Sequence, residues 1–65
     1  MKNRIRDIRS DKGLRQEDLG DLIGVSRQTI NAIEKGKYDP SLPTAFRLAK
    51  ALGKSIEELF DFEED

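Results

Sequence analysis

Apolar residues in this chain come in short clusters broken by glycine, and within each cluster their spacing is helical until the last few residues. In residues 16–34, QEDLGDLIGVSRQTINAIE, Leu19, Leu22 and Ile23 recur at i, i+3 and i+4, Gly24 interrupts, and Ile30 and Ile33 resume at i, i+3. Gly24 suits the left-handed cap that ends a helix, Val25 can point inward beneath the turn, and Ser26 can accept a bond from the free amides of the next helix. Helices joined by so short a segment must cross steeply, which leaves one face of the second outside the core. The pattern predicts a helix-turn-helix over about residues 16–35.

The flanking chain reads in the same way. Residues 4–12 carry Ile5 and Ile8 on one stripe, a weakly apolar first helix stopped by Gly13, with Leu14 as an anchor to the next. Arg15 stands at the N-cap of the second helix and cannot accept a bond there, whereas Glu17 and Asp18 suit the positive end of that helix. Gly20 inside a helix costs about 0.5–1 kcal/mol relative to Ala, which a close crossing with the third helix would explain. The third helix runs from Arg27 to about Lys35 and stops at Gly36. Ser41 caps a fourth, with Pro43 in its first turn. Leu42, Ala45, Phe46, Leu48, Ala49 and Leu52 make this the most apolar helix and the floor of the core, and Tyr38 before it is expected to pack on it. Gly53 ends it, and Ser55 with Glu58 forms the capping box of a short fifth helix containing Ile56 and Leu59. After it Phe60-Asp61-Phe62-Glu63 alternates apolar and acidic, the period of a strand. So short a strand needs Met1–Asn3 or a second subunit beside it; taken alone, the stretch reads equally as a frayed acidic tail.

Composition removes most chemistry. With 65 residues the chain is expected to form one domain, spanning 1–65, with a small core. It has neither cysteine nor histidine, so no disulfide, thiolate metal site or imidazole base is expected, and no cofactor or small-molecule ligand is evident. The carboxylates lie in the tail and the first turns of helices, where solvation and capping explain them, so no enzyme is expected. No apolar run approaches membrane-spanning length, and a cytoplasmic setting is the default expectation. The net charge of −1 conceals a polarity: residues 1–37 carry nine Lys and Arg against six acids, while residues 38–65 carry three against seven. The basic half is expected to meet phosphate and the acidic tail to point away from it.

On the third helix, Ile30 and Ile33 turn inward, which leaves Arg27, Gln28, Asn31 and Lys35 on other faces. Arg can donate two bonds to guanine and Gln can pair with adenine, each good pair giving about 1–3 kcal/mol of discrimination. A cation in the first turn opposes the helix dipole, so the fold alone gives no reason for Arg27, and Arg15 raises the same question at the start of the second helix. Both helix starts approach DNA in helix-turn-helix docking, and there the two misfits become fits to phosphate.

The pattern Q-E-x-L-x-x-x-I-G-V-S-x-x-x-I-x-x-I-E-x-G, followed by P-x-L and another amphipathic helix, resembles the lambda-repressor-like (XRE, or Cro/C1-type) transcriptional regulators, especially their compact stand-alone bacterial members. The resemblance implies an all-α fold of five helices, with a small antiparallel two-stranded sheet added from the two ends of the chain. It implies double-stranded DNA as partner, base contacts from Arg27, Gln28 and Ala32, and phosphate contacts from Gln16, Lys35 and Lys37. Asn31 and Thr29 follow as second candidates for a neighbouring base or phosphate. At Ala32 the family often has a polar residue, so that position is left with a thymine methyl or nothing. Arg9 and Glu34 match a family ion pair tying the first helix to the end of the third. Dimerisation is implied at the C-terminal end, where Ile56, Leu59, Phe60 and Phe62 supply the expected interface. The function implied is repression by a dimer on an inverted-repeat operator. The same fold also serves antitoxins and adaptor proteins that bind a protein partner, which is the alternative reading.

Overall fold

The computed structural model describes residues 1–62. In chain order they form β1 (Lys2–Asn3), α1 (Ile5–Asp11), α2 (Gln16–Ile23), α3 (Arg27–Glu34), α4 (Leu42–Leu52), α5 (Ile56–Leu59) and β2 (Phe60–Asp61). The fold is all-α with five helices, and the two strands make one small antiparallel sheet in which Lys2 faces Asp61 and Asn3 faces Phe60. The N-terminal segment is thus the partner that the C-terminal strand requires. Glu63, the end of the period-two stretch, lies outside the described residues.

Local chemistry sets the boundaries. Gly24 and Gly53 close α2 and α4 at φ 79° and 65°, a conformation glycine reaches without steric cost. Ser26, Ser41 and Ser55 each accept a hydrogen bond from the backbone amide three residues on. Ser55 and Glu58 complete a reciprocal box, since the Ser55 amide donates to the Glu58 carboxylate at 2.9 Å. At α2 only half of that box forms. The Arg15 amide donates to Asp18 Oδ2 at 2.9 Å, while a guanidinium has no lone pair to offer in return.

The core is built from Ile5 of α1, Leu19 and Ile23 of α2, Ile30 and Ile33 of α3, the Ala45–Leu48–Ala49–Leu52 stripe of α4, and Leu59 and Phe60. Ile8, Leu14, Val25 and Ile56 pack against its margin. Several apolar residues expected inside are not there. The buried arc of α4 runs through 45, 48, 49 and 52, which leaves Leu42 and Phe46 on the flank at 66% and 58% exposure. Leu22 lies to one side of the Leu19–Gly20–Ile23 arc and is likewise exposed, as is Tyr38 in the loop before α4. Gly20 is required by the turn rather than by α3 itself. A Cβ there would stand 2.6 Å from the Val25 carbonyl oxygen, closer than any side chain tolerates.

Arg9 and Glu34 form the expected pair, with side chains only 12% and 4% exposed. Arg9 Nε donates to Glu34 Oε2 at 2.7 Å and Nη2 to Oε1 at 3.2 Å, while Nη1 donates to the Leu14 carbonyl at 2.8 Å. Gln16 Nε2 donates to the same Oε1 at 3.1 Å. Breaking one partner of so enclosed a pair strands the other charge, so Arg9→Ala should destabilise the fold by about 3–5 kcal/mol in urea or thermal unfolding. Adding Glu34→Ala to that variant should cost much less than Glu34→Ala does alone; strictly additive losses would contradict the pairing.

Two capping carboxylates make stability depend on acid. Asp18 is held below the usual carboxylate range first by the Arg15 side chain and then by the Arg15 amide. Glu58 is lowered by the Ser55 amide and hydroxyl. A carboxyl whose pKa falls on folding stabilises the native state above its ordinary value and loses that contribution as pH drops through its folded value. Stability should therefore begin to decline as pH falls below about 4. Asp18→Asn with Glu58→Gln should flatten the decline, and an unaltered pH profile in urea titrations would refute the assignment.

Candidate nucleic-acid interface

The turn between α2 and α3 places the third helix. Ser26 accepts from the Thr29 amide at 3.1 Å, and its hydroxyl lies 3.0 Å from that of Thr29, so the start of α3 is pinned from within. Ile30 and Ile33 sink into the core and fix the rotation of the helix about its axis. Arg27 and Gln28 are consequently exposed, and among the described residues neither side chain has a hydrogen bond or ion pair. Ala32 and Asn31 follow one turn later and are half-buried, and Lys35 caps the end of the helix. With eight residues α3 is about 12 Å long, close to the width of a duplex major groove.

The expected phosphate residues divide into two groups. Lys35 and Lys37 are exposed on either side of Gly36 and carry no ion pair among the described residues. Arg15, Gln16 and Thr29 already have roles within the fold. The Arg15 guanidinium donates to Asp18 Oδ1 and Oδ2 at 3.1 and 3.2 Å. The fold therefore does give a reason for that cation, contrary to the dipole argument, although its side chain remains 77% exposed. The Gln16 side chain belongs to Glu34, which leaves its backbone amide, at the first helical position, as the group free to meet an anion. The Thr29 hydroxyl is shared with the cap.

Charge is paired locally rather than segregated by distance. Arg4 bonds to Asp61 and to the Glu58 carbonyl, and the N-terminal ammonium bonds to Asp39 at 3.0 Å. Asp61 lines a cavity of about 730 Å³ together with Lys35 and Gly36, while the acidic residues after Phe62, expected to point away from the basic half, lie outside the described residues. The sheet braces that loop. Asn3 Nδ2 donates to the Ile33 carbonyl at 2.8 Å, and a Cβ on Gly36 would lie 3.3 Å from the Met1 carbonyl oxygen. Asn3 could not be singled out from the sequence, because an Asn ahead of a helix signals a cap and its bond here spans thirty residues.

The expected dimer residues also divide. Leu59, at 0% exposure, is enclosed in the chain's own core, whereas Phe60, at 8%, belongs to the core and still lines the groove described next. Ile56 is half-buried and Phe62 is 73% exposed. These two border an apolar groove of about 360 Å³ with Met1, Pro40, Leu42, Ala45 and Phe60. Among the described residues no cluster of carboxylates, His or Cys could hold a metal ion, and no helix is long and apolar enough to cross a membrane.

Known proteins share this arrangement. A family model described as helix-turn-helix matches residues 5–59. An uncharacterized HTH-type transcriptional regulator of Methanocaldococcus jannaschii, MJ0272, is 57% identical over the whole chain and 98% of its own length. Among solved structures, the restriction-modification controller protein C.AhdI from Aeromonas hydrophila superposes with a TM-score of 0.80 at 40% identity, over 88% of this chain and 86% of that one. The P22 c2 repressor, solved in complex with a synthetic operator, gives 0.81 at 35% identity over 83% and 82%. The match encloses the turn and both helices around it, and it is to a family of regulators, not of enzymes. The chain belongs to the helix-turn-helix family, among the lambda-repressor-like (XRE, Cro/C1-type) DNA-binding transcriptional regulators.

Proposed function

We propose that the protein is a sequence-specific regulator that binds double-stranded DNA as a homodimer in the cytoplasm and represses by occupying an inverted-repeat operator. One observation carries this reading: α3 is anchored on one side by Ile30 and Ile33 and presents Arg27 and Gln28 outward, exposed and, among the described residues, without partners. Arg27, Gln28 and Ala32 read base edges, with Asn31 beside them. Lys35, Lys37, Arg15, Thr29 and the Gln16 amide meet phosphates on either side of the groove. Support comes from the P22 c2 repressor, whose likeness extends over most of the chain and which was solved on an operator.

The apolar groove bordered by Ile56 and Phe62 supports the dimer. Phe62 stands as an exposed knob on the rim of a hole of matching character, an arrangement that two copies satisfy reciprocally about a two-fold axis. Two third helices would then meet successive major grooves about 34 Å apart. The same groove is the feature that favours the alternative reading, an unlike protein partner as in an antitoxin or adaptor. The mass of the purified chain decides between them.

In vitro selection of duplexes at a fixed salt concentration should return inverted repeats. Arg27→Ala and Gln28→Ala should each relax the preference at one position by about 1–3 kcal/mol, whereas Lys37→Ala should weaken all duplexes alike and reduce the salt dependence. Variants at 27 and 28 that select the parent's sequences would defeat the direct-readout assignment.

Light scattering should give twice the chain mass, and Phe62→Ser should lower it towards that of one chain without loss of helix content. A parent that stays at the mass of one chain when bound to its selected duplex would exclude the dimer.

A further inference from the structure

The loop after α3 is held from two sides. From its own helix, the Gly36 and Lys37 amides donate to the Ile33 and Ala32 carbonyls at 2.9 and 3.0 Å. From the N-terminal segment, the Met1 ammonium donates to the Gly36 carbonyl at 3.4 Å and to Asp39 at 3.0 Å, and residues 38–40 make no other hydrogen bond among the described residues. Asn3 joins the two sides. Its Nδ2 donates to the Ile33 carbonyl at 2.8 Å and to the Met1 carbonyl at 3.1 Å, while its Oδ1 accepts from the Ile5 amide at 3.2 Å. The Ile33 oxygen thus receives a donor from the loop, Gly36, and a donor from β1, Asn3. β1 is itself referred to the core, since Asn3 pairs with Phe60 and the Arg4 amide donates to the Leu59 carbonyl at 2.8 Å.

The last turn of α3 does not need this bond. Ile33 is sunk in the core, and Glu34 is locked by Arg9 and Gln16. What the Asn3 amide adds is a second line of reference, from the core through β1 to the segment that carries Lys35 and Lys37. We infer that Asn3 is a positioning residue for DNA binding: without touching the duplex, it clamps β1 to the end of α3 and so sets where the charges of Lys35 and Lys37 stand. The inference rests on the reading above in which those two lysines meet phosphates. An amide suits the position because one short side chain supplies both the acceptor for Ile5 and the donor for Ile33. Aspartate offers no donor. Serine can still accept from the amide two residues on, as in the turns that Ser and Asn both form, but it is too short to reach Ile33.

That difference supplies the test, because Asn3→Ser keeps the local turn and the charge while removing the long-range bond. Binding to the selected duplex and to a scrambled one is followed by fluorescence anisotropy between about 50 and 200 mM KCl, with every variant shown to be folded by circular dichroism. Asn3→Ser should reduce the slope of log K against log salt by about 0.9 per bound chain, the share of one phosphate, and weaken both duplexes by a similar factor. Asn3→Ala also loses the bond to Ile5, so it should unfold at lower urea than Asn3→Ser and yet bind with the same reduced slope. Combining Asn3→Ser with Lys37→Ala should weaken binding by less than the product of the two single losses, since both act on one contact. A parental slope in Asn3→Ser, or affinities of the two Asn3 variants that follow their stabilities, would overturn the assignment; if Asn3→Ala does not fold, the slope of Asn3→Ser decides alone. If Lys37→Ala behaves as expected while Asn3→Ser matches the parent, only the role of Asn3 is wrong, whereas a parent that binds no duplex removes the DNA reading itself.

Discussion

The carboxylate of Glu34 is the joint on which the arrangement turns. It stands at the last residue of α3, it is almost fully enclosed, and α1 and α2 reach it through Arg9 and Gln16 respectively. Arg9 also holds the Leu14 carbonyl in the connection between those two helices. A charge taken out of water is expensive unless its lone pairs are filled, and here both oxygens are. The consequence is geometric. Hydrophobic contacts at Ile30 and Ile33 can fix which side of α3 faces the core, but they tolerate sliding. A bidentate pair with a third donor does not. The end of α3 is thereby held in register with the start of α2, and on the proposed reading both present donors to the phosphate backbone.

Four of the chain's acids are neutralised by cations at contact distance. Asp39, Asp61, Asp18 and Glu34 are each given a cationic partner within the chain: the N-terminal ammonium, Arg4, Arg15 and Arg9. Charges paired at contact distance cast little field beyond it, and a Debye length of about 8 Å at physiological salt screens much of the rest. Arg6, Arg27, Lys35 and Lys37 on α1, α3 and the loop after α3 have no ion pair among the described residues, but neither do Lys12, Arg47, Lys50 and Lys54, nor the acids Asp7, Asp11, Glu17, Asp21 and Glu57. Net charge is therefore a poor guide to this surface. Asp61, for example, is neutralised by Arg4 where it stands.

The parts of this fold that were legible in the sequence are those decided within about four residues. Glycine at Gly24 and Gly53, serine at Ser26, Ser41 and Ser55, and the Ser55–Glu58 box each act on neighbouring backbone, so their positions give the helix ends directly. The pairing of β2 with β1 was legible only as one of three outcomes, beside a second subunit and a frayed tail, because so short a stretch does not specify its own partner. What was not legible depends on how wide a stripe each helix buries. Periodicity shows that Leu42 and Phe46 lie near the stripe of α4, yet on that flank the buried arc ends at Ala49, so both stay exposed. The same limit applies to the site. Arg27 and Gln28 were legible as outward residues, whereas the engagement of Arg15 with Asp18 and of Gln16 with Glu34 was not, since a side chain's choice of partner depends on tertiary geometry. Leu59 was expected on a surface between subunits, but its side chain is fully enclosed in the chain's own core, while Phe60 is part of the core and of the groove beside it.

The composition of the outward face bears on why one copy would not suffice. On the proposed reading only Arg27 and Gln28 make paired hydrogen bonds to bases, and Ala32 offers at most a methyl contact. At about 1–3 kcal/mol for each good pair, one copy discriminates by about 2–6 kcal/mol. Specific recognition in the presence of a genome needs about 4–10 kcal/mol over non-specific binding. A single α3 thus reaches only the lower part of that range, and two related by symmetry span it. Affinity is the opposite case, since cations on α1, α3 and the loop after α3 outnumber the base-reading groups, and most binding energy would come from sequence-independent phosphate contacts. A chain built in this way gains little selectivity from strengthening its grip on the backbone. Selectivity has to come from doubling the readout, which is the physical reason to expect the exposed groove at Phe62 to matter as much as the recognition helix itself.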